Sequence, residues 1–168
     1  MSSTDQQSTS GATTVTAPGD LPVICIEREF AAPAERVQRA HADPELFVSW
    51  VGPHDIESEV DYWDCRTGGA WRYVSRRGEE RFAFFGSFHE VAPGRLVQTF
   101  TFEGVPEEAS LETLTFTDLP GGRSRLEGRS VFSSMQARDA MVASGCEAGI
   151  QAGYESLDGL LADPAARA

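Results

Sequence analysis

Few side chains in this sequence have the types and spacing to do chemistry. The three histidines, His41, His54 and His89, are scattered, and none sits in a metal-ligand spacing such as HExxH. No metal site is expected. His54 stands in the loop Gly52-Pro53-His54-Asp55. From a loop beside a cavity mouth, an imidazole could pass a proton to a bound molecule; the plainer alternative is a solvated loop histidine. Asp64 and Arg66 precede the turn signal Gly68-Gly69. Asp64 shares strand parity with Ile56, Val60 and Tyr62, which predicts an inward carboxylate. Such a group needs a partner or a shifted pKa, and Arg72 or Arg125 could supply the partner. Two roles stay open for it: an ion pair that fixes the hairpin, or a carboxylate that orients or activates a ligand. Cys25, Cys65 and Cys146 are odd in number and lack CxxC spacing, which argues against a disulfide framework and a zinc knuckle. Cys146 lies on an apolar helix face with no histidine near it in sequence, and there a cysteine reads as packing. The chain has no lysine, so a Schiff-base or P-loop lysine is excluded. No cofactor is expected.

These residues must be positioned by a fold of strands followed by a helix. Residues 1–20 are polar and of low complexity, and are expected to be a disordered tail. Val23 to Phe30 is β-branched and reads as a strand. Pro33 with Glu35 opens a short helix carrying Val37, Ala40 and His41, and Asp43-Pro44-Glu45 opens a second, ended by Gly52-Pro53. Five or six strand candidates follow, separated by short turns: Ile56 to Tyr62, a run through Trp71 and Tyr73, Phe82 to Val91, Leu96 to Phe102, Leu111 to Phe116, and Leu126 to Phe132. Short connections without helices predict an antiparallel meander. From Ser133, with Gln136 as a capping box, to Ala162 the pattern is that of one long amphipathic helix, ended by Asp163-Pro164. Gly145, Gly149 and Gly153 fall on one side of it at four-residue intervals. They predict either close backbone approach to the sheet or a void above it, because missing side chains leave space.

Composition narrows the function. The formal charge of −12 opposes phosphate backbones and anionic membranes, so no nucleic-acid partner is expected. No apolar run reaches the ~18 residues of a membrane span and no signal peptide is evident, so a cytoplasmic protein without membrane insertion is expected.

Several segments together resemble the AHSA-like branch of the START-like, or SRPBCC, superfamily, named for homologues of the heat-shock ATPase activator. Phe30-Ala31-Ala32-Pro33-Ala34-Glu35-Arg36-Val37 is similar to the superfamily's opening motif. Asp43-Pro44-Glu45-Leu46 through Trp50-Val51-Gly52-Pro53, and Asp64-Cys65-Arg66-Thr67-Gly68-Gly69-Ala70-Trp71, are similar to two motifs of the branch. Gly86 to Val91 with Pro93 and Arg95-Leu96-Val97 resembles a third, and Gly145 through Leu161 its C-terminal helix. The resemblance implies an α+β helix-grip fold of the birch-pollen-allergen type over residues 21–164. In it a curved antiparallel sheet of six to seven strands surrounds a long C-terminal helix, with two short helices after the first strand.

The resemblance further implies an internal cavity for a small hydrophobic or aromatic molecule, in a carrier, sensor or sequestering protein. The expected lining is Trp50, Trp71, Tyr73, Phe84, Phe100, Phe116, Cys146, Ile150 and Tyr154, with His54, Asp64 and Arg66 as polar candidates. Two other roles occur in the superfamily: an enzyme on a polyketide-like substrate, as cyclase or dehydratase, and a co-chaperone-like domain that binds protein. Fold alone does not choose among these, and a homodimer is left open.

Overall fold

Short turns between β-rich runs leave the chain little choice but to fold back on itself strand by strand. The computed structural model describes residues 12–163. Its elements run β1 (Thr14–Thr16), β2 (Val23–Phe30), α1 (Ala34–Ala42), α2 (Pro44–Trp50), β3 (Glu57–Trp63), β4 (Ala70–Arg77), β5 (Glu80–Ala92), β6 (Arg95–Phe102), β7 (Ala109–Leu119), β8 (Arg123–Val131), α3 (Met135–Ala143) and α4 (Cys146–Ala162). All strands form one antiparallel sheet in the order β1-β2-β8-β7-β6-β5-β4-β3. The meander β3 to β8 is thus completed by β2, which pairs with β8 and carries β1 at its other edge. The α4 helix packs its apolar stripe on one face of this sheet, which is the helix-grip arrangement of an α+β protein.

Two clusters make the core. The larger joins Phe30, Leu96, Phe116 and Leu126 of the sheet to Tyr154, Leu157 and Leu161 of α4, with Val37 and Ala40 of α1. The smaller is aromatic: Trp71, Tyr73 and Phe88, covered by Phe47 and Val51 at α2. Arg28 fastens the first cluster. Its side chain is fully buried and grips both carboxylate oxygens of Asp158 at 2.7 and 2.6 Å, with its guanidinium 4.6 Å from the Phe30 ring centre. Asp43 caps α2 by accepting from the backbone N–H of Glu45 and Leu46, with Pro44 at the first helical position.

Five expectations change. The C-terminal helix is two helices. Gly145 takes φ +82°, a left-handed conformation that glycine adopts at little cost, and so ends α3 and begins α4. The cap of α3 is Ser134, accepting from Ala137 N–H at 3.0 Å, while Ser133 turns to the Glu108 carboxylate. The sheet has eight strands rather than six to seven, because Thr14–Thr16 adds an edge strand on β2. Residues 12–20 therefore do not form a tail: Thr13 N–H donates to Gln151 at 3.1 Å, and Arg138 donates to the carbonyls of Pro18 and Leu21. Residues 1–11 of the expected tail, and Pro164, lie outside the described residues. Finally, a bulge between Val60 and Tyr62 shifts the register of β3 on β4. A one-residue slip turns every later side chain to the other face. Tyr62 is therefore exposed, and Trp63 packs inward against Trp71 and Phe88.

Candidate functional site

A cavity of about 400 Å³ lies between the sheet and the N-terminal half of α4. Its aromatic wall comes from alternate residues of neighbouring strands, since period two sends every second side chain to the α4 side. Trp71 and Tyr73 stack at 5.7 Å with 20° between their planes, and Phe84 and Phe100 lie 5.3 Å apart. Trp50 from α2 stacks on Tyr154 from α4 at 5.7 Å. Trp63 and Phe47 extend the wall, and Cys146, Gly149, Ile150 and Gly153 of α4 form the roof.

The structure thus gathers eight of the nine expected lining residues around one space: Trp50, Trp71, Tyr73, Phe84, Phe100, Cys146, Ile150 and Tyr154. Phe116 is not among them; it is packed in the core with its ring 5.2 Å from His41. The three polar candidates also lie off the wall. His54 is exposed in the α2–β3 loop, with Nδ1 3.2 Å from Ser156 Oγ and Nε2 3.9 Å from Glu155. Asp64 follows the bulge and faces solvent, paired with Arg66 at 2.8 Å, an exposed ion pair beside the hairpin. The guanidinium groups expected to meet it are engaged elsewhere. Arg72 bridges Asp61 and Glu103, and Arg125 reaches Glu27 and Glu29.

Glycine placement separates two effects. A Cβ on Gly153 would lie 3.2 Å from Gly52 N and 3.3 Å from the Trp50 carbonyl, so this glycine permits close backbone approach, to the end of α2 rather than to the sheet. A Cβ on Gly149 would meet only Pro53, at 3.7 Å.

The cavity's polar groups are residues that the sequence did not single out. Gln98 of β6, Glu112 of β7 and Ser130 of β8 are register partners, directly abreast across three strands, and all three line the cavity. Burial pushes the Glu112 carboxyl up to about 7, against a hydrogen bond donated by the Gln98 amide. Burial, and then the Glu112 charge, also raise the hydroxyl pKa values of Tyr73 and Tyr154. The signal was legible: Glu112 shares parity with Leu114 and Phe116, an acid on an apolar strand face. His41 lies at the edge of the cavity. Its Nδ1–H donates to the Val37 carbonyl at 2.8 Å, leaving Nε2 unprotonated, buried and without a hydrogen-bond partner among the described residues. Desolvation lowers its pKa to about 4. The Cys146 thiol is raised by burial and by Glu147, which keeps it protonated and weakly nucleophilic. Among the described residues no group of His, Cys, Asp and Glu could hold a metal ion, and no helix is long and apolar enough to cross a membrane.

A sheet gripping a helix over an aromatic-lined cavity defines the START-like class. Within it, the chain belongs to the family of Activator of Hsp90 ATPase homolog 1-like proteins, whose model matches residues 31–162. No curated protein matches it. Among solved structures, it is similar to protein CV1439 from Chromobacterium violaceum, at 28% identity and TM-score 0.75 over 84% of this chain and 98% of the other. Protein Ms6760 from Mycobacterium smegmatis is 26% identical, with TM-score 0.80 over 89% and 97%. A protein from Arthrobacter aurescens shares the fold at 24% identity and TM-score 0.81, over 90% and 92%.

Proposed function

We propose that this protein binds a small, mostly apolar molecule in the cavity under α4, as a carrier, sensor or sequestering protein. The observation that carries this is the cavity itself: about 400 Å³ walled by Trp50, Trp63, Trp71, Tyr73, Phe84 and Phe100. Interiors are normally close-packed, and a void of this size forfeits contacts that a folded core would otherwise make. The volume is in the range of small-molecule sites, which combine apolar walls with a few convergent polar groups. Family membership favours ligand binding in general and leaves the molecule open. The test is titration with an environment-sensitive apolar dye, alongside native mass spectrometry of freshly purified protein. One-to-one dye binding, or a co-purifying mass, supports the proposal; a native state that takes up neither sinks it.

The second candidate is acid–base catalysis on a polyketide-like substrate, and one observation favours it. Glu112 titrates near neutrality inside the cavity, which suits a general base. Conversion of a bound polyketide-like compound that stops in Glu112→Gln would distinguish an enzyme from a carrier.

A further inference from the structure

The polar row Gln98–Glu112–Ser130 crosses the cavity wall at one level of three adjacent strands. Strands lie about 4.8 Å apart, so the row is roughly 10 Å long. The Glu112 carboxylate, the Gln98 carbonyl and the Ser130 hydroxyl each offer an acceptor oxygen along it, with a Gln98 amide N–H donating to Glu112. No arginine lines the cavity among the described residues, and the chain has no lysine to neutralise Glu112. The neighbouring wall is aromatic, with the Trp71 Nε1–H buried and without a hydrogen-bond partner among the described residues. Phe100 sits two residues from Gln98 on the same face of β6, with Trp71 at 5.7 Å and Phe84 at 5.3 Å from it.

A desolvated carboxyl on an otherwise apolar face is costly unless a partner completes it. A carboxylate or phosphate ligand would add like charge beside Glu112. An ammonium supplies what is missing: donors for three acceptors, a countercharge for the carboxylate, and a cation for the aromatic faces. Resting on the cavity-binding proposal above, we infer that the ligand is a hydrophobic amine, its ammonium seated on Glu112, Gln98 and Ser130 and its apolar body against Trp71, Tyr73 and Phe100. The ammonium holds Glu112 ionised, while the hydrocarbon part fills the space below Gly149 and Ile150.

Three probes of one size separate the possibilities: 2-naphthylmethylamine, 2-naphthylmethanol and 2-naphthoate. Each is titrated calorimetrically at about pH 8, where the amine is charged and Glu112 is largely ionised. The expected order is amine tighter than alcohol by about tenfold or more, with naphthoate weakest. Glu112→Gln keeps the shape and one acceptor while removing the charge. In it the amine should lose about tenfold while the alcohol stays within roughly threefold of the wild-type value. An alcohol that binds the wild-type protein as well as the amine does, or an amine preference that survives in Glu112→Gln, overturns the amine assignment and leaves the cavity proposal standing. Failure of all three probes overturns the amine assignment, and the cavity proposal falls with it when the apolar dye and native mass spectrometry are also negative.

Discussion

The two halves of α4 are made by the same continuous helix and do opposite things. From Tyr154 onward, Tyr154, Leu157 and Leu161 recur at three- and four-residue steps and are buried against Phe30, Phe116 and Leu126. Before it, Cys146, Gly149 and Ile150 form the roof of the cavity, while Gly153 lets α4 close on the end of α2. The difference is side-chain volume. Where the stripe carries leucines the helix welds to the sheet, and where it carries glycines the sheet's aromatics have nothing to meet. Stability rests mainly on the turns carrying Leu157 and Leu161 and ligand space on the turns carrying Cys146 and Gly149, with Tyr154 shared between them.

The comparison breaks most easily at its packed end. Leu157 is fully buried, and Leu157→Ala should cost about 3 kcal/mol through lost transfer energy and a new cavity. Urea denaturation measures it, and dye affinity at low temperature should be nearly unchanged. A loss of binding comparable to the loss of stability would show that the two halves are coupled.

The next effect is a pH dependence in which two buried groups beside the cavity oppose each other. His41, against Trp50 and Phe116, has its pKa lowered from 6.5 to about 4. The unfolded chain takes up that proton first, so this contribution is full above 6.5 and is lost as pH falls toward 4, by about 1.4 kcal/mol per pH unit. Glu112 in the cavity has its pKa raised from 4.5 to about 7, so its contribution is full below 4.5 and is lost as pH rises through 7. Between these limits the slopes oppose. Wild-type stability should be nearly flat there with respect to this pair, whereas Glu112→Gln should lose about 2–3 kcal/mol from pH 6.5 down to 4.5. Denaturation curves across that range decide it; parallel profiles for the two proteins would remove the case for a buried Glu112.

Smaller effects distinguish the glycines. Gly153→Leu should cost about 1–3 kcal/mol by overpacking against the Gly52 and Trp50 backbone. Gly149→Ala should hold stability or raise it by up to about 1 kcal/mol, since alanine favours the helix and its Cβ meets Pro53 at an ordinary distance. Gly149→Leu should also fold normally but weaken dye binding by filling the roof. If Gly149→Leu proved as destabilising as Gly153→Leu, the roof would be packed rather than open.

Much of this was legible in the chain. The order of strands and helices, the Asp43-Pro44 start of α2 and most of the aromatic wall follow from periodicity, turn residues and family motifs. The failures have separate causes. Strand parity extended through Val60 points Asp64 inward, and the bulge before Tyr62 reverses that parity. Gly145 fitted the helical stripe by spacing, yet its left-handed φ breaks the helix. The Thr14–Thr16 strand was hidden by polar, low-complexity neighbours because an edge strand needs little apolar surface.

By itself the sequence determined local conformation and which faces are apolar, since these depend on residues within a few positions of one another. It also set the volume of each side chain on α4. Only the tertiary structure decided that Gln98, Glu112 and Ser130 stand abreast, because strand register is a relation among segments far apart in the chain. The burial that moves Glu112 and His41 away from their usual pKa values was decided there too, since desolvation comes from the groups that close over a side chain, not from its neighbours in sequence.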